Sequence, residues 1–258
     1  MLKGLYTAYT GMINEQNRMD VMTNNLANAN TIGYKKEGAT SQAFDDILAY
    51  KIKDTSESPN TARKLGSMSM GVKIGENYTD YGQGSMRETG NPYDLAIAGN
   101  GFFTIEYTNK SGVTSTKYSK DGSFTLNKEG YLVTEDGDFI LSDKDKHIKL
   151  DPSKESSIDS AGNIFQDDKI VAKVGITDFE DYDYLKKFGE KLYDAVEGAT
   201  EKEATAKISS GYLEMANVQV VSEMVNMISI TRAYETNQKI IQTYDGSLEI
   251  AVNQLGKI

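Results

Sequence analysis

Val220, Met227, Tyr234, Ile241, Leu248 and Leu255 stand seven residues apart with no break in the row. Six matches in succession are hard to obtain by chance, and seven is the period of a helix that keeps one stripe against a neighbouring helix. The positions four further on form a mixed row: Met224, Thr231, Gln238, Asp245 and Val252. A dry two-stranded coiled coil rarely accepts Gln or Asp there. The chain from about residue 211 onward therefore predicts one long helix with a narrow apolar seam on a polar body, suited to packing among many neighbours.

The opening of the chain repeats the design less strongly. Leu5, Met12, Met19 and Leu26 also fall seven apart, and Ala8, Met22 and Ala29 share a companion row broken only by Glu15. This is a second amphipathic helix, over residues 2–30, without an internal proline. Gly33 stands just beyond it, where a left-handed C-cap would sit.

The period changes between about residues 70 and 175. Runs such as Leu95-Ala96-Ile97-Ala98, Phe102-Phe103-Thr104-Ile105 and Tyr131-Leu132-Val133-Thr134 cluster or alternate like strands. Turn signals separate them, among them Gly99-Asn100-Gly101, Lys120-Asp121-Gly122 and Asn127-Lys128-Glu129-Gly130. Closely spaced turns of this kind mark a compact antiparallel domain. Residues 36–70 read as a polar connection rich in Ser, Thr and Lys. An acidic segment, 178–207, reads as exposed, mobile and in part helical.

The fold class is therefore α+β. Terminal helices form a paired, coiled-coil-like core, and a central antiparallel β-rich domain is inserted between them. The divisions are an N-terminal assembly helix at 1–35, a linker at 36–70, the β-rich domain with its acidic segment at 71–207, and a C-terminal assembly helix at 208–258. Closing a loop of about 180 residues costs only a few kcal/mol. Two narrow stripes at about 25 cal/mol per Å² barely offset the entropy of ordering each segment. The expectation is that the helices fold when subunits assemble.

Composition removes several functions. The 28 basic and 38 acidic side chains leave a net charge of −10, with no basic cluster longer than a Lys-Lys pair. Nucleic acid is not an expected partner, because phosphate neutralisation needs clustered Lys and Arg. There is no cysteine, so neither disulfides nor thiolate metal sites form. The first residues, Met1-Leu2-Lys3-Gly4-Leu5-Tyr6, lead into no apolar h-region, and no run approaches a membrane span of about 20 residues. Export without a cleaved leader and without membrane insertion is expected.

Catalysis finds little support. His147 is the single histidine, in a charged stretch with Asp143 and Asp145 that lacks the glycine and distal Glu of a calcium loop. Gly99-Asn100-Gly101 lacks the third glycine of a dinucleotide site. No catalytic residue, cofactor or metal is expected.

Three blocks carry a family resemblance. Asn24-Asn25-Leu26-Ala27-Asn28-Ala29-Asn30-Thr31-Ile32-Gly33-Tyr34-Lys35 resembles the Asn-rich helix end of the flagellar axial proteins of rod and hook. Gln83-Gly84-Ser85-Met86-Arg87-Glu88-Thr89-Gly90-Asn91-Pro92-Tyr93-Asp94-Leu95 is similar to the start of their β-domain, and Tyr118-Ser119-Lys120-Asp121-Gly122-Ser123-Phe124 to their Tyr-Thr-Arg-Asp-Gly-x-Phe block, departing from it at Ser119 and Lys120. Gly211-Tyr212-Leu213-Glu214-Met215-Ala216-Asn217-Val218, running into Glu223-Met224-Val225-Asn226-Met227-Ile228, resembles the C-terminal signature of the rod group, with Ala216 where Ser is usual. A chain of 258 residues with one β-domain resembles the distal-rod group or its proximal-rod relatives of similar size, and the C-terminal blocks favour the distal-rod group.

The resemblance implies a non-catalytic subunit of the basal-body rod. Its copies would polymerise through their terminal helices into a tube that carries torque from motor to hook. Implied partners are further copies of the chain, other rod proteins, the hook protein and the flagellar type III export apparatus. The assembly interface would use Leu5, Met12, Met19, Met22 and Leu26 on the first helix, and Asn24, Asn25, Asn28, Asn30, Gly33 and Tyr34 around its end. On the second it would use Val220, Met224, Met227, Arg232, Tyr234, Ile241, Leu248 and Leu255. The rival reading is a secreted, non-catalytic binding or adhesin-like module that forms a closed oligomer through the same helices.

Overall fold

A computed structural model describes residues 2–51, 63–110, 112–167 and 169–255. It is mixed helix and sheet, with a helix near each end and an antiparallel β-rich middle. The chain divides into two units. One comprises residues 1–26, 37–80 and 219–258; the other comprises 27–36 and 81–218.

The first unit holds helix α1 (Leu2–Ala27), strands β1 (Glu37–Ala43), β2 (Ile47–Lys51), β3 (Arg63–Met68) and β4 (Val72–Thr79), and helix α2 (Val220–Ile250). β1 pairs antiparallel with β4, with a bulge past Ala39, and β2 pairs antiparallel with β3. The segment read from sequence as a polar connection is thus two strand pairs among the described residues. Described side chains on both faces of β1 and β4 are largely exposed, so no apolar alternation marks them. The backbone ladder needs none, and Ser, Thr and Gln tolerate it.

One flank of α1 docks on these strands through polar contacts. Asn14 Nδ2 donates to Ser41 Oγ at 3.0 Å. Gly71, with φ +135°, lies so near Thr10 that a Cβ would overlap the hydroxyl. Asn25 makes a two-bond amide pair with Glu37: its Nδ2 donates to the carbonyl at 2.7 Å and its Oδ1 accepts from the N–H at 2.9 Å.

A second flank of α1 lies along α2. Gly4 abuts the Tyr244 ring, and a Cβ on Gly11 would sit 3.0 Å from Asn237 Nδ2. Arg18 lines a recess with Ile230 and Ala233. Seven residues forward on one helix is seven back on the other, so the two run antiparallel. The row facing α1 is accordingly Ile230, Asn237 and Tyr244, three residues beyond Met227, Tyr234 and Ile241. The row expected four beyond, with Met224, Gln238, Asp245 and Val252, is exposed. The glycines of α1 explain the shift, because their missing side chains admit Asn237 and Tyr244.

The second unit contains β5 (Met86–Glu88), β6 (Leu95–Ala98), β7 (Phe102–Thr108), β8 (Thr114–Ser119), β9 (Phe124–Leu126), β10 (Leu132–Thr134), β11 (Phe139–Ile140), β12 (Ser156–Ile158), β13 (Asn163–Gln166) and β14 (Lys169–Lys173). It continues with β15 (Ile176–Phe179), β16 (Leu185–Phe188), β17 (Leu192–Ala195), β18 (Glu201–Glu203), β19 (Lys207–Ser210) and β20 (Tyr212–Glu214). A nine-stranded antiparallel sheet runs β16-β17-β8-β7-β11-β10-β9, with β15 beside β7 and β18 beside β15. β12, β13 and β14 form a three-stranded meander, while β6 pairs with β19 and β5 with β20.

Successive residues of β7 enter different cores, as the two-residue period of a strand requires. Phe103 joins Leu95, Ile97, Phe124, Leu132 and Ile140. Phe102 joins Tyr118, Phe179, Leu185 and Tyr193. Three members of that second core come from the acidic segment expected to be exposed and part helical. The segment holds one short 3-10 helix, Tyr182–Tyr184, and otherwise supplies β16, β17 and β18, in which Leu185 and Tyr193 point inward while Phe188 and most of the Asp, Glu and Lys stay exposed.

Candidate functional site

The most concentrated polar chemistry lies inside the second unit, where residues just after α1 meet residues just before α2. α1 ends at Ala27 and a turn follows, in which Asn28 accepts from Thr31 through both its backbone carbonyl and its Oδ1, each at 3.0 Å. Gly33 does adopt a left-handed backbone, φ +68°, but it closes this turn rather than capping the helix. A Cβ there would run into the Lys120–Asp121 backbone. Gly33 N–H donates to Glu214 O at 2.8 Å. The chain then turns Tyr34 and Lys35 fully inward. Lys187 Nζ sits 4.1 Å from the centre of the Tyr34 ring, within cation–π range.

Lys35 Nζ donates to Glu214 Oε1 at 2.6 Å and to Gly82 O at 2.9 Å. Gly84 N–H donates to the same carboxylate oxygen at 2.9 Å. Gly84 has no room for a side chain, since a Cβ would overlap Met215 O. Lys120 Nζ faces Glu214 Oε2 at 4.0 Å and donates to Gly99 O at 2.8 Å. Asn217 completes the junction: its Oδ1 accepts from Lys36 N–H at 2.7 Å and its Nδ2 donates to Gly82 O at 3.1 Å. The side chains of Lys35 and Glu214 are 1% and 0% exposed, so this ion pair is desolvated and held by hydrogen bonds at both ends. Burial lowers the pKa of Lys120 from 10.5 to about 8, against the opposing pull of Glu214.

The helices present a different kind of surface. Between Lys3 and Glu15, α1 has no charged residue, and Tyr6, Tyr9 and Ile13 are exposed there. Between Glu214 and Arg232 the one charge is Glu223, which is buried. Val220, Val221, Met224, Val225 and Ile228 are 37–76% exposed on that stretch of α2.

The sequence-derived interface residues therefore divide into three sets. Leu5, Met12, Met19, Met22 and Leu26 on α1, with Met227, Tyr234, Ile241 and Leu248 on α2, are half-buried within the first unit. Asn24, Asn30, Val220, Met224 and Arg232 are exposed. Asn25, Asn28, Gly33 and Tyr34 are buried and engaged inside the chain. The side chain of Leu255 lies outside the described residues. Sequence reasoning missed Lys35, Lys120 and Glu214 as a set; no local spacing pairs residues 179 positions apart.

No group of three His, Asp or Glu among the described residues is placed to hold a metal ion. His147 stacks on Phe139, ring centres 4.5 Å apart, and its Nε2 lies 3.2 Å from Glu106 Oε2. No described helix is long and apolar enough to cross a membrane.

The second unit holds a closed polar junction, and the helices of the first carry exposed apolar stripes. Known proteins give the chain a family. Residues 5–35 match the flagella basal body rod protein family, residues 96–166 the D1 domain of flagellar hook protein FlgE/F/G, and residues 209–255 the C-terminal region of flagellar basal body rod FlgEFG proteins. The flagellar basal-body rod protein FlgG of Bacillus subtilis (strain 168) is 34% identical over 98% of this chain and 99% of its own length. The flagellar hook-basal body complex protein FlhO of the same organism is 32% identical over the whole of both chains. The flagellar basal-body rod protein FlgF of Caulobacter vibrioides is likewise 32% identical over the whole of both. The chain belongs to the flagellar basal-body rod FlgE/F/G family, a family of structural, non-catalytic proteins of the flagellar basal body.

Proposed function

We propose that this chain is an axial rod subunit that polymerises through α1 and α2 into a helical tube and transmits torque from motor to hook. The observation that carries the reading is the pair of uncharged, exposed stripes on the terminal helices. Solvent-exposed apolar rows of this length are a liability in a free subunit and mark surfaces that other chains cover. A stripe on α1 of one copy against a stripe on α2 of the next is a head-to-tail contact, which extends into a filament unless its rotation closes a ring. The antiparallel α1–α2 register supports a paired, coiled-coil-like core within each subunit, with Leu5, Met12, Met19, Met227, Tyr234 and Ile241 flanking the glycine contacts.

Other rod proteins and the hook protein are the neighbours at the two ends of such a tube. The type III export apparatus is the route by which the subunit reaches them, and its C-terminal blocks favour a place in the distal rod. Purified protein brought to high concentration should form open-ended filaments by electron microscopy, and deletion of residues 1–26 should abolish them while the second unit stays folded. A ring or other oligomer of fixed size by light scattering, or filaments from the truncated chain, would overturn the reading.

A further inference from the structure

The second unit brings the root of α1 and the root of α2 to one buried point. Five residues separate Ala27, the last of α1, from Gly33, whose N–H binds Glu214 O. Five residues likewise separate Glu214 from Val220, the first of α2, with Lys36 and Asn217 bonded between them. The two short tethers begin on the opposite sides of a single ion pair, Lys35–Glu214. We propose that this pair is a conformational lock: by fixing both helix roots in the folded second unit, it makes α1 and α2 neighbours within the single subunit.

The physical basis is effective concentration. In an unfolded chain, pairing the helices must close a loop of about 180 residues, with an entropic cost that grows with loop length. Once the second unit is folded, the connection between the helices shrinks to two short tethers, and their encounter becomes a local event. The lock is well chosen for an all-or-none device. A desolvated carboxylate with one ammonium at 2.6 Å and a second, Lys120, only at 4.0 Å holds strongly when intact and disfavours a half-open state, because loss of the near partner leaves a buried charge poorly compensated. Gly82, Gly84 and Asn217 tie the neighbouring backbone to the same pair, so loss of Lys35 loosens both roots at once.

This inference concerns the monomer and stands apart from polymerisation, so the test is run at concentrations where light scattering shows monomer only. The chain lacks cysteine, which allows a spin-label pair at the exposed positions Gln16→Cys and Glu235→Cys to report α1–α2 spacing. Near-ultraviolet circular dichroism of the buried aromatic core reports the second unit in the same urea titration. The two signals should be lost at one midpoint, and Lys35→Met should lower both midpoints together, as should Lys35→Met with Glu214→Met. A label pair that keeps its short distance after the aromatic signal has gone overturns the lock, as does a Lys35→Met chain in which only the aromatic midpoint moves. If Lys35→Met fails to fold, the unsubstituted chain still decides the matter through the coincidence or separation of its two transitions.

Discussion

Lys120 carries its ammonium in a site that disfavours charge, and its titration has a defined sign. Its pKa is 10.5 in the unfolded chain and about 8 in the folded one, so between those values the unfolded chain binds the extra proton. Stability contributed by this group rises with pH across that window, and the penalty of burying the charge is fully present below pH 8. The full effect is about 3 kcal/mol by the standard conversion of a pKa difference. Urea midpoints measured between pH 7.5 and 9.5 should rise relative to those of Lys120→Met, which has no such proton to lose; parallel profiles would refute the assignment. Lys35 behaves differently, because its removal strands Glu214. Lys35→Met should destabilise the second unit by about 3–5 kcal/mol in chemical denaturation, and adding Glu214→Met should recover only part of the loss, because it leaves the buried Lys120 ammonium without its facing carboxylate. Gly33→Ala should cost about 2 kcal/mol or more, since the left-handed backbone penalises a Cβ that also meets the Lys120–Asp121 backbone.

Among the elements, the two long helices are the part most legible in sequence. Their seven-residue rows are half-buried at Leu5, Met12, Met19 and Leu26 and at Met227, Tyr234, Ile241 and Leu248, which is what a narrow apolar stripe predicts. The finer choice of companion row was not legible, for it depends on Gly4 and Gly11 of the other helix admitting Tyr244 and Asn237. The strands of β7 and β10 announced themselves through apolar runs, whereas β1, β4 and β16–β18 did not, because each buries few large side chains and carries polar residues on its open face. The α2 glycine at 246 has open space where a Cβ would go. Gly246→Ala should therefore raise α2 stability by roughly 0.5–1 kcal/mol through helix propensity, read as slower amide exchange along the helix. Gly4→Leu should act in the opposite direction by displacing Tyr244, and equal effects at the two sites would show that α1 and α2 do not bear on each other there.

At the scale of the whole chain, the boundary that matters falls inside the Asn-rich motif rather than after it. Asn25 binds Glu37 in the first unit, while Asn28 through Lys36 build the second. A fragment of residues 27–218 should fold with a native-like aromatic spectrum, whereas residues 37–218, lacking Tyr34 and Lys35, should melt at markedly lower urea; identical midpoints would contradict this division. The family assignment was legible because its blocks at 24–35, 83–95, 118–124 and 211–228 are local strings. Their meeting at Glu214 was not legible, since contact between the first and last of them is a property of the fold alone.

The neighbouring entry and exit of the second unit bear on how such a chain can change over generations. A module whose two ends emerge side by side can be enlarged, trimmed or exchanged without moving the elements that flank it. New sequence is accommodated most readily at hairpin tips away from the junction, such as Gly112 between β7 and β8, around which a Cβ would meet nothing. Such tips are therefore free to diverge, while the short stretch from Gly33 to Lys35 and its counterpart at Glu214 constrains every variant that keeps both helices.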